Sequence, residues 1–377
     1  MIETLALESI EAIEPSHWNR LHFADDSPGE IEDWSYLRAI ERAHLPGFRL
    51  VYFVVREGAR LLAAAPGFFT DYRIDTTVSG ALKRVTEAAA KLLPRLLRIP
   101  MLALGSPATE SCRVGFDPAA SEPQRKQWLH AIAMEMEALA AREHAQMLAI
   151  KDAAEPQAAL WRQVLPQHGL RPLPGLPGAT LALPFDDLDG YLDSLGSATR
   201  KDLRRKWRAA TGLAIEWRAD LGGIREEVLR LYRATLAHAQ FRFEELNLAY
   251  FENVLREMPG RAFCVTYAER GKLLAFNLVL QDRARLLDKF FGMDYQAMER
   301  YNLYQVSWLE NVRYCIAQRI RVYESGQGLH QEKVRLGSEL HANTLWYRHR
   351  NRFLDGVFAR VDGLARLDRS DPGAQCA

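Results

Sequence analysis

The sequence predicts an α+β fold made of two similar halves, and three observations support this prediction. In each half, apolar segments separated by turn residues predict antiparallel hairpins, and a helix and a returning strand follow. A proline- and glycine-rich segment, His168 to Phe185, separates the halves and predicts an extended connector. Hydrophobic residues make up 48% of the 377 residues, which excludes disorder over most of the chain and suffices for two cores.

Hydrophobic periodicity predicts the elements of the first half in order. They are a helix at Trp34 to Arg42, strands at Phe48 to Val55 and 61–73 joined by the turn REGAR, a strand at Ile99 to Pro107, a helix at Pro123 to Arg142 and a strand at 145–152. In the longest helix, Trp128, Ile132, Met136 and Leu139 recur at helical spacing. We therefore expect this helix to bury one face.

The second half repeats this order. Its predicted helices and strands cover Asp187 to Leu195, Thr199 to Ala210, Leu213 to Arg218, Gly223 to Ala239, Leu248 to Met258, a three-strand meander over 261–294, Leu303 to Gln318, 321–325, His330 to Leu336 and Asn343 to Arg350. The repetition indicates a duplicated unit. We predict a first domain at 1–165, a second at 166–365 and a disordered tail at 366–377.

Charge and cysteine usage exclude several classes of protein. Lys and Arg number 49 against 48 Asp and Glu, so the chain as a whole is not a nucleic-acid or membrane-surface binder. The N-terminus has neither a basic region nor an apolar run, and no stretch of about twenty apolar residues predicts a membrane span. The cysteines form no CxxC pair and the histidines no HxxxH motif, so no metal site is expected. These features predict a cytoplasmic protein.

Four segments of the second half resemble the Gcn5-related N-acetyltransferase (GNAT) superfamily. They are Ser197 to Arg208, Phe290 to Asp294, Tyr323 to Gly337 and Leu345 to Asn351. Their order is similar to that of the branch with two such domains in tandem, which includes the FemABX peptidyltransferases and the BioF2-like acetyltransferase domain. The likeness is best over Thr180 to Arg360 and reaches the first half chiefly through Leu102 to Phe116. It implies two tandem GNAT-like domains, each a mostly antiparallel mixed sheet flanked by helices, and transfer of an acyl or aminoacyl group to an amine.

The resemblance leaves two donors open, acyl-CoA and aminoacyl-tRNA, with no tightly bound cofactor. Acyl-CoA enzymes of the superfamily hold the CoA pyrophosphate on a glycine-rich turn before the long helix. The corresponding segment here, Met298 to Gln305, has no glycine, and bulky side chains hinder such an approach. The basic helix predicted at Thr199 to Ala210 contains Arg200, Arg204 and Arg205, which suit an anionic part of a substrate such as tRNA. A helix face exposed to solvent explains these charges equally.

The segment Tyr323 to Gly328 ends a strand and turns into a helix, and it supplies candidate catalytic and donor-binding residues. Glu324 is a candidate to accept a proton from the acceptor ammonium, and Lys333 to neutralise a phosphate or a developing oxyanion. Gly326 and Gly328 permit positive φ angles and expose backbone donors that would line the donor. A structural ion pair between Glu324 and Lys333 is the alternative.

Two aspartates belong to the apolar strand Leu286 to Met293 or follow it. A carboxylate in such a strand needs a partner or a task. Asp294 matches the strand-end aspartate of the family and is the second candidate for handling the acceptor amine, with capping of the following turn as the alternative. Asp288 is expected to face solvent by strand alternation.

The resemblance places the acceptor pocket near His238, Phe241 and Tyr295. Aromatic side chains suit an amine or a sugar, but core packing of Phe241 and a helix-end position of His238 are alternatives. The acceptor amine would belong to a small molecule, a cell-envelope component or a peptide. A non-catalytic GNAT-fold module that binds a polysaccharide or a nucleic acid is the alternative of another class. The oligomeric state is not predicted.

Overall fold

The computed structural model describes residues 1–23, 31–73, 98–153, 155–239, 243–356 and 358–360. The chain forms two compact units, each built from discontinuous segments. Unit 1 consists of Met1–Ala12, Gly47–Gly175 and Asn343–Ala377. Unit 2 consists of Ile13–Pro46 and Leu176–Ala342.

Fifteen strands and eleven α-helices are present in the described residues. The strands are β1 (Ile2–Leu7), β2 (Phe48–Glu57), β3 (Arg60–Arg73), β4 (Arg98–Leu104), β5 (Gly115–Phe116), β6 (Met147–Ala153), β7 (Arg171–Pro174), β8 (Gly178–Ala182), β9 (Ala214–Arg218), β10 (Ala262–Glu269), β11 (Lys272–Gln281), β12 (Arg285–Met293), β13 (Val322–Glu324), β14 (Glu339–His341) and β15 (Thr344–His349). The helices are α1 (Pro15–His22), α2 (Trp34–Ala43), α3 (Glu122–Arg142), α4 (Ala158–Val164), α5 (Leu188–Ser194), α6 (Ser197–Ala209), α7 (Arg225–His238), α8 (Leu248–Glu257), α9 (Tyr295–Tyr301), α10 (Leu303–Ala317) and α11 (His330–Arg335).

The sheet of unit 1 has the strand order β1-β2-β3-β4-β6-β15-β7, with β5 paired to β3. The pair β4 and β6 is parallel, and the other pairs are antiparallel. The helix α3 covers this sheet and buries Trp128, Ile132 and Met136 in its core, as its periodicity predicts. Such a crossover helix is what a parallel strand pair requires.

The sheet of unit 2 has the strand order β14-β8-β13-β12-β11-β10-β9. Here β12 and β13 are the parallel pair, and the remaining pairs are antiparallel. The helix α10 connects β12 to β13 and buries Leu303, Val306 and Leu309 against the sheet. Each unit therefore has four antiparallel strands, a crossover helix and a fifth strand parallel to the fourth. This repetition confirms the predicted α+β class of two similar units.

Contiguous domains at 1–165 and 166–365 would place the last strand in the second unit and the early helix α2 in the first. The structure places each of them in the other unit. The last strand, β15, pairs with β6 and β7 in unit 1. The early helix α2 packs on α8 in unit 2, where the Tyr36 and Tyr250 hydroxyls lie 2.7 Å apart and Asn247 donates to the Ala43 carbonyl at 2.7 Å. Local patterns predict these elements but not their partners, because pairing is a long-range property. The predicted tail at 366–377 lies outside the described residues.

Gly292 of β12 packs closely against the Phe276 ring and the backbone of α7. A Cβ added there would clash with the Phe276 ring and lie 3.0 Å from the Tyr232 backbone nitrogen. We expect Gly292→Ala to destabilise the fold by about 1–3 kcal/mol, because neither the packed ring nor the helix backbone can yield freely. Gly178→Ala on β8 of the same sheet is the matched control, since an added Cβ meets nothing within 4 Å there. Equal denaturant midpoints for the two variants would contradict this packing.

Candidate active site

The strands β12 and β13 separate partway along the sheet of unit 2. Their pairing runs from Arg285 and Val322 to Leu287 and Glu324 and ends there. Beyond this point β12 continues to Met293, whereas the chain after β13 turns at Gly326, which has a φ of +71°. The carboxyl ends of adjacent parallel strands that diverge form a crevice, which is a common place for ligands in open sheets. We call this crevice, between β12 and β13 and under α10, the strand cleft.

A β-bulge in β12 follows the side chain that enters the strand cleft. In the pairing with β11, Val279 lies opposite Asp288 and Leu278 opposite Phe290, so Lys289 is the extra residue. Asp288 precedes this bulge, and because its neighbours Leu286 and Leu287 are both buried, both faces of β12 are covered there and Asp288 does not face solvent. It is half-buried and accepts a 2.8 Å hydrogen bond from the Tyr323 hydroxyl. The expectation that Asp288 faces solvent was therefore wrong.

A short chain of hydrogen bonds fixes the Asp288 carboxylate. The Asn311 side-chain amide of α10 donates to the Tyr323 hydroxyl at 3.0 Å, and that hydroxyl donates to Asp288. Asn311 and Tyr323 are both fully buried. Burial raises the pKa of Tyr323 far above its ordinary value, and the charge of Asp288 raises it further. Tyr323 consequently remains a neutral donor at physiological pH and holds the carboxylate in one orientation.

Tyr304, the second residue of α10, adds a second neutral hydroxyl to the strand cleft. Burial raises the pKa of Tyr304, and the charges of Asp288 and Glu332 raise it further. The Tyr304 hydroxyl is buried and has no hydrogen-bond partner among the described residues. Other buried polar atoms of unit 2 without a partner in that part of the chain include Asn277 Oδ1, Asn311 Oδ1 and Ser325 Oγ. Buried polar groups are normally satisfied, so these atoms are available to a polar ligand or to water.

The extra residue of the bulge, Lys289, belongs to a different environment from Asp288. Its side chain is only 1% exposed, and its ammonium lies 3.2 Å from a Glu32 carboxylate oxygen. The same ammonium lies 5.6 Å from the centroid of the Tyr36 ring and 5.9 Å from that of Phe290. A buried lysine of this kind is stabilised by its ion pair and the aromatic rings together. Sequence reasoning missed Lys289, although a lysine inside an apolar strand was a visible signal.

The two predicted acidic candidates occupy positions at the border of the strand cleft. Glu324 pairs with Arg285 at 3.3 Å, and strand alternation places it on the face opposite Tyr323. Asp294 caps α9, since it accepts the Gln296 backbone N–H at 3.0 Å. Burial of Asp294 opposes ionisation, but the hydrogen bonds and the charge of Lys272 outweigh it and lower the pKa of this carboxyl. Asp294 is thus ionised and occupied as a cap at neutral pH.

Lys333 and the two predicted glycines form the turn that follows β13. The Lys333 ammonium is buried and donates to the backbone carbonyls of Ser325 and Gly326, the latter at 3.0 Å. Gly326 has the positive φ that was expected. Neighbouring atoms do not require a glycine at position 328, because a Cβ added there would meet nothing within 4 Å. The expected Glu324–Lys333 pair is replaced by the pairing of Glu324 with Arg285 and of Lys333 with these carbonyls.

The basic helix α6 is largely neutralised by neighbouring carboxylates. Arg200 lies 3.6 Å from Asp193, and Arg204 lies 3.0 Å from both Asp189 and Asp193. Arg205 is bonded to Asp202 within the helix at 2.8 Å. These pairs are exposed and individually weak, so a polyanion can displace them. The donor-binding role of the three arginines stays a prediction.

The predicted acceptor residues are partly brought together. His238 ends α7 and stacks on Tyr295, with ring centroids 3.7 Å apart and an interplanar angle of 13°. The neighbouring Thr235 hydroxyl accepts the Met293 backbone N–H at 3.2 Å, which ties the end of α7 to the end of β12. Phe241 lies outside the described residues. The His238–Tyr295 pair therefore lies at the end of β12, near the strand cleft.

The described residues contain neither a metal cluster nor a membrane-spanning helix. No group of three or more His, Cys, Asp or Glu side chains there could hold a metal ion. None of the helices within the same residues has the length and apolar character that crossing a membrane requires.

Two sheets of this topology in one chain, each with one parallel strand pair, are the arrangement of a tandem GNAT fold. The chain belongs to the FemAB-like family, whose model, described as peptidoglycan biosynthesis/recognition, matches residues 9–359. This match confirms the resemblance to the FemABX-like branch and shows an enzyme that transfers acyl or aminoacyl groups. No match was found among curated proteins.

Solved structures of the same fold cover nearly the whole chain. FemX aligns with a TM-score of 0.58 at 12% identity, over 94% of this chain and 99% of its own. A tandem GNAT protein from the clavulanic acid biosynthesis pathway aligns with a TM-score of 0.55 at 14% identity, over 93% of this chain and 99% of its own. At these identities the similarity establishes the fold of both units.

Proposed function

We propose that this protein transfers an acyl or aminoacyl group to an amine of a cell-envelope precursor, and that the strand cleft of unit 2 is the site of transfer. The observation that supports this most directly is the fixed Asp288 carboxylate at the point where β12 and β13 part. Membership in a family described as peptidoglycan biosynthesis/recognition supports the class of acceptor.

In the proposed reaction the amine nitrogen attacks the carbonyl carbon of an activated acyl donor directly. Asp288 first takes a proton from the acceptor ammonium, directly or through a water molecule, which frees the amine lone pair for attack. A C–N bond then forms, the C–S bond of a thioester or the C–O bond of an ester breaks, and the leaving group departs as a thiol or hydroxyl with the second proton of the amine nitrogen. Such a mechanism requires positioning and proton transfer but no covalent enzyme intermediate.

The developing negative charge on the acyl oxygen requires a hydrogen-bond donor. Tyr304 provides a neutral hydroxyl for this role, because its raised pKa keeps it protonated and it has no partner among the described residues. Tyr323 and Asn311 position Asp288 without contacting the acyl group. Lys333 holds the turn at Gly326 that would border the donor.

Two observations bear on the identity of the donor and favour different answers. Asn302 both ends α9 and begins α10, and the flanking Tyr301 and Leu303 are buried, so no glycine-rich turn is available for the CoA pyrophosphate. This favours an aminoacyl ester, as in aminoacyl-tRNA. The pairs of Arg200 and Arg204 with Asp189 and Asp193 reduce the net positive charge of α6, which favours acyl-CoA, with its few phosphates, over the much longer polyanion tRNA. The shared requirement is an activated acyl carbon.

A transfer assay tests the proposal and distinguishes the donors. The protein is incubated with a soluble peptidoglycan-precursor peptide and either radiolabelled acetyl-CoA or bulk radiolabelled aminoacyl-tRNA. We expect label to move to the peptide amine from one of the two donors. Native protein that moves no label from either donor would overturn the proposed function. The thermal midpoint with each donor provides an independent check, since a ligand at a hundredfold excess over its Kd stabilises by about 2.7 kcal/mol.

A further inference from the structure

Three titratable side chains on the helices of unit 1 are linked by hydrogen bonds into a chain, and none of them belongs to the strand cleft of unit 2. Glu137 and His130 both belong to α3, and His168 ends the short 3₁₀ turn that follows α4. The His168 Nδ1 lies 3.0 Å from a Glu137 carboxylate oxygen, and its Nε2 lies 2.9 Å from His130 Nδ1. His168 is buried between two more exposed groups, the half-buried Glu137 and the exposed His130.

The exposed end of this chain opens into a pocket of about 350 Å³ between α3 and α4. The pocket is lined by Lys126, Gln127, His130, Gln163, Val164 and Gln167. One ammonium, one imidazole and three primary amides contribute hydrogen-bond donors, and no carboxylate is among the lining residues. A donor-rich lining of positive charge suits an anion.

The hydrogen bonds determine the protonation of the two imidazoles. Because a carboxylate can only accept, His168 donates from Nδ1 to Glu137. In the neutral chain, His168 Nε2 then accepts from His130 Nδ1, which leaves the His130 Nε2 lone pair exposed to the pocket. A proton added at Nε2 converts this position from acceptor to donor and makes the pocket more positive.

We propose that this pocket of unit 1 is a binding site for a small oxyanion of the sulfate or phosphate type, which binds together with a proton taken up by His130. The anion contacts the Lys126 ammonium and the protonated His130, and the glutamine amides complete its hydrogen bonds. The bound anion compensates the added charge from the pocket side, and Glu137 compensates it from the opposite side of His168.

The charged groups around Glu137, His168 and His130 support this compensation of the added charge. From α3 the facing groups are Lys126 and Glu137, from the turn after α4 His168, and from β15 Arg348, whose guanidinium lies 3.3 Å from Glu137. Lys126 also pairs with the exposed Glu122 at 2.6 Å, a bond that an incoming anion can replace. Arg348 shares Glu137, so the carboxylate is held in place whether or not His130 carries a proton.

Calorimetric titration of the full chain with sodium sulfate tests the site, because sulfate keeps the same charge between pH 6 and 8. Histidine changes its charge over this range, so we expect sulfate to bind about tenfold more tightly near pH 6 than near pH 8. His130→Gln should bind weakly at both pH values and lose the pH dependence. Lys126→Met should weaken binding at both pH values and keep the pH dependence.

The matched control is His17→Gln, which removes an exposed histidine from α1 in unit 2 and should behave like the native protein. Unchanged thermal midpoints would show that the variants fold. The proposal is overturned if the native chain does not bind sulfate or phosphate near pH 6. It is also overturned if native binding is independent of pH, or if His130→Gln keeps the native pH dependence. This test needs no transfer activity, so its outcome is independent of the proposed function.

Discussion

Replacing Asp288 by asparagine is expected to lower kcat by about 10²- to 10⁴-fold, the usual contribution of general acid–base catalysis. The substituted side chain keeps an oxygen that can accept the Tyr323 hydroxyl, so the buried hydrogen-bond chain through Asn311 is retained. It loses the capacity to take a proton from the attacking ammonium. The measurement is the single-turnover rate of acyl transfer at saturating donor, with the unfolding midpoint as a check of the fold.

Glu324→Gln is the informative companion of this variant, since Glu324 is one of the two acidic groups, with Asp294, that the sequence alone offers for handling the acceptor amine. The structure pairs Glu324 with Arg285 on the opposite face of the sheet from Tyr323. We therefore expect only a small change in turnover for Glu324→Gln. The reverse result, with an active Asp288→Asn and an inactive Glu324→Gln, would restore the assignment made from sequence and refute the role of Asp288.

Lys333→Met is expected to destabilise the protein by about 2–4 kcal/mol. The buried ammonium holds the carbonyls of Ser325 and Gly326, and its removal leaves both without their charged donor. Methionine preserves much of the volume of the lysine side chain. The decrease in the free energy of unfolding therefore reports the lost hydrogen bonds and not a large cavity. The measurement is the free energy of unfolding from a denaturant titration.

The control for this effect is Lys272→Met, because Lys272 is 68% exposed and its pair with Asp294 is a surface ion pair. Its free energy of unfolding should change by less than about 1 kcal/mol. A Lys333→Met protein of native stability that no longer transfers acyl groups would show that Lys333 acts on the donor directly. That outcome would contradict the structural role and support the catalytic role expected from the sequence.

Local patterns were sufficient to predict much of the fold. The meander of β10, β11 and β12 and the helix α10 have strong periodicity, turn residues at their ends and neighbours close in sequence. Leu203 and Trp207, four residues apart on α6, both pack against the core of unit 2. The short strands β5, β7 and β14 were not predicted, because strands of two to four residues have little periodicity of their own.

The composition of the strand cleft was harder to predict for a specific physical reason. Alternation assigns the side chains of a strand to two faces but does not show whether either face meets solvent, and both faces of β12 are covered at Leu286 and Leu287. Asp288 was therefore wrongly assigned to solvent, and its partners Tyr323 and Asn311 come from elements distant in sequence. Glu324 and Lys333 were singled out by residue type, but only coordinates show that each already has a structural partner.

Hydrogen–deuterium exchange of the native protein, with and without the donor that supports transfer, tests most directly whether the strand cleft is the site. We predict that donor binding slows exchange in 288–293 of β12, in 303–311 of α10 and in the turn at 325–328. These segments border the point where β12 and β13 part. Protection confined to 122–168 of unit 1, with unchanged exchange in these segments, would contradict the account.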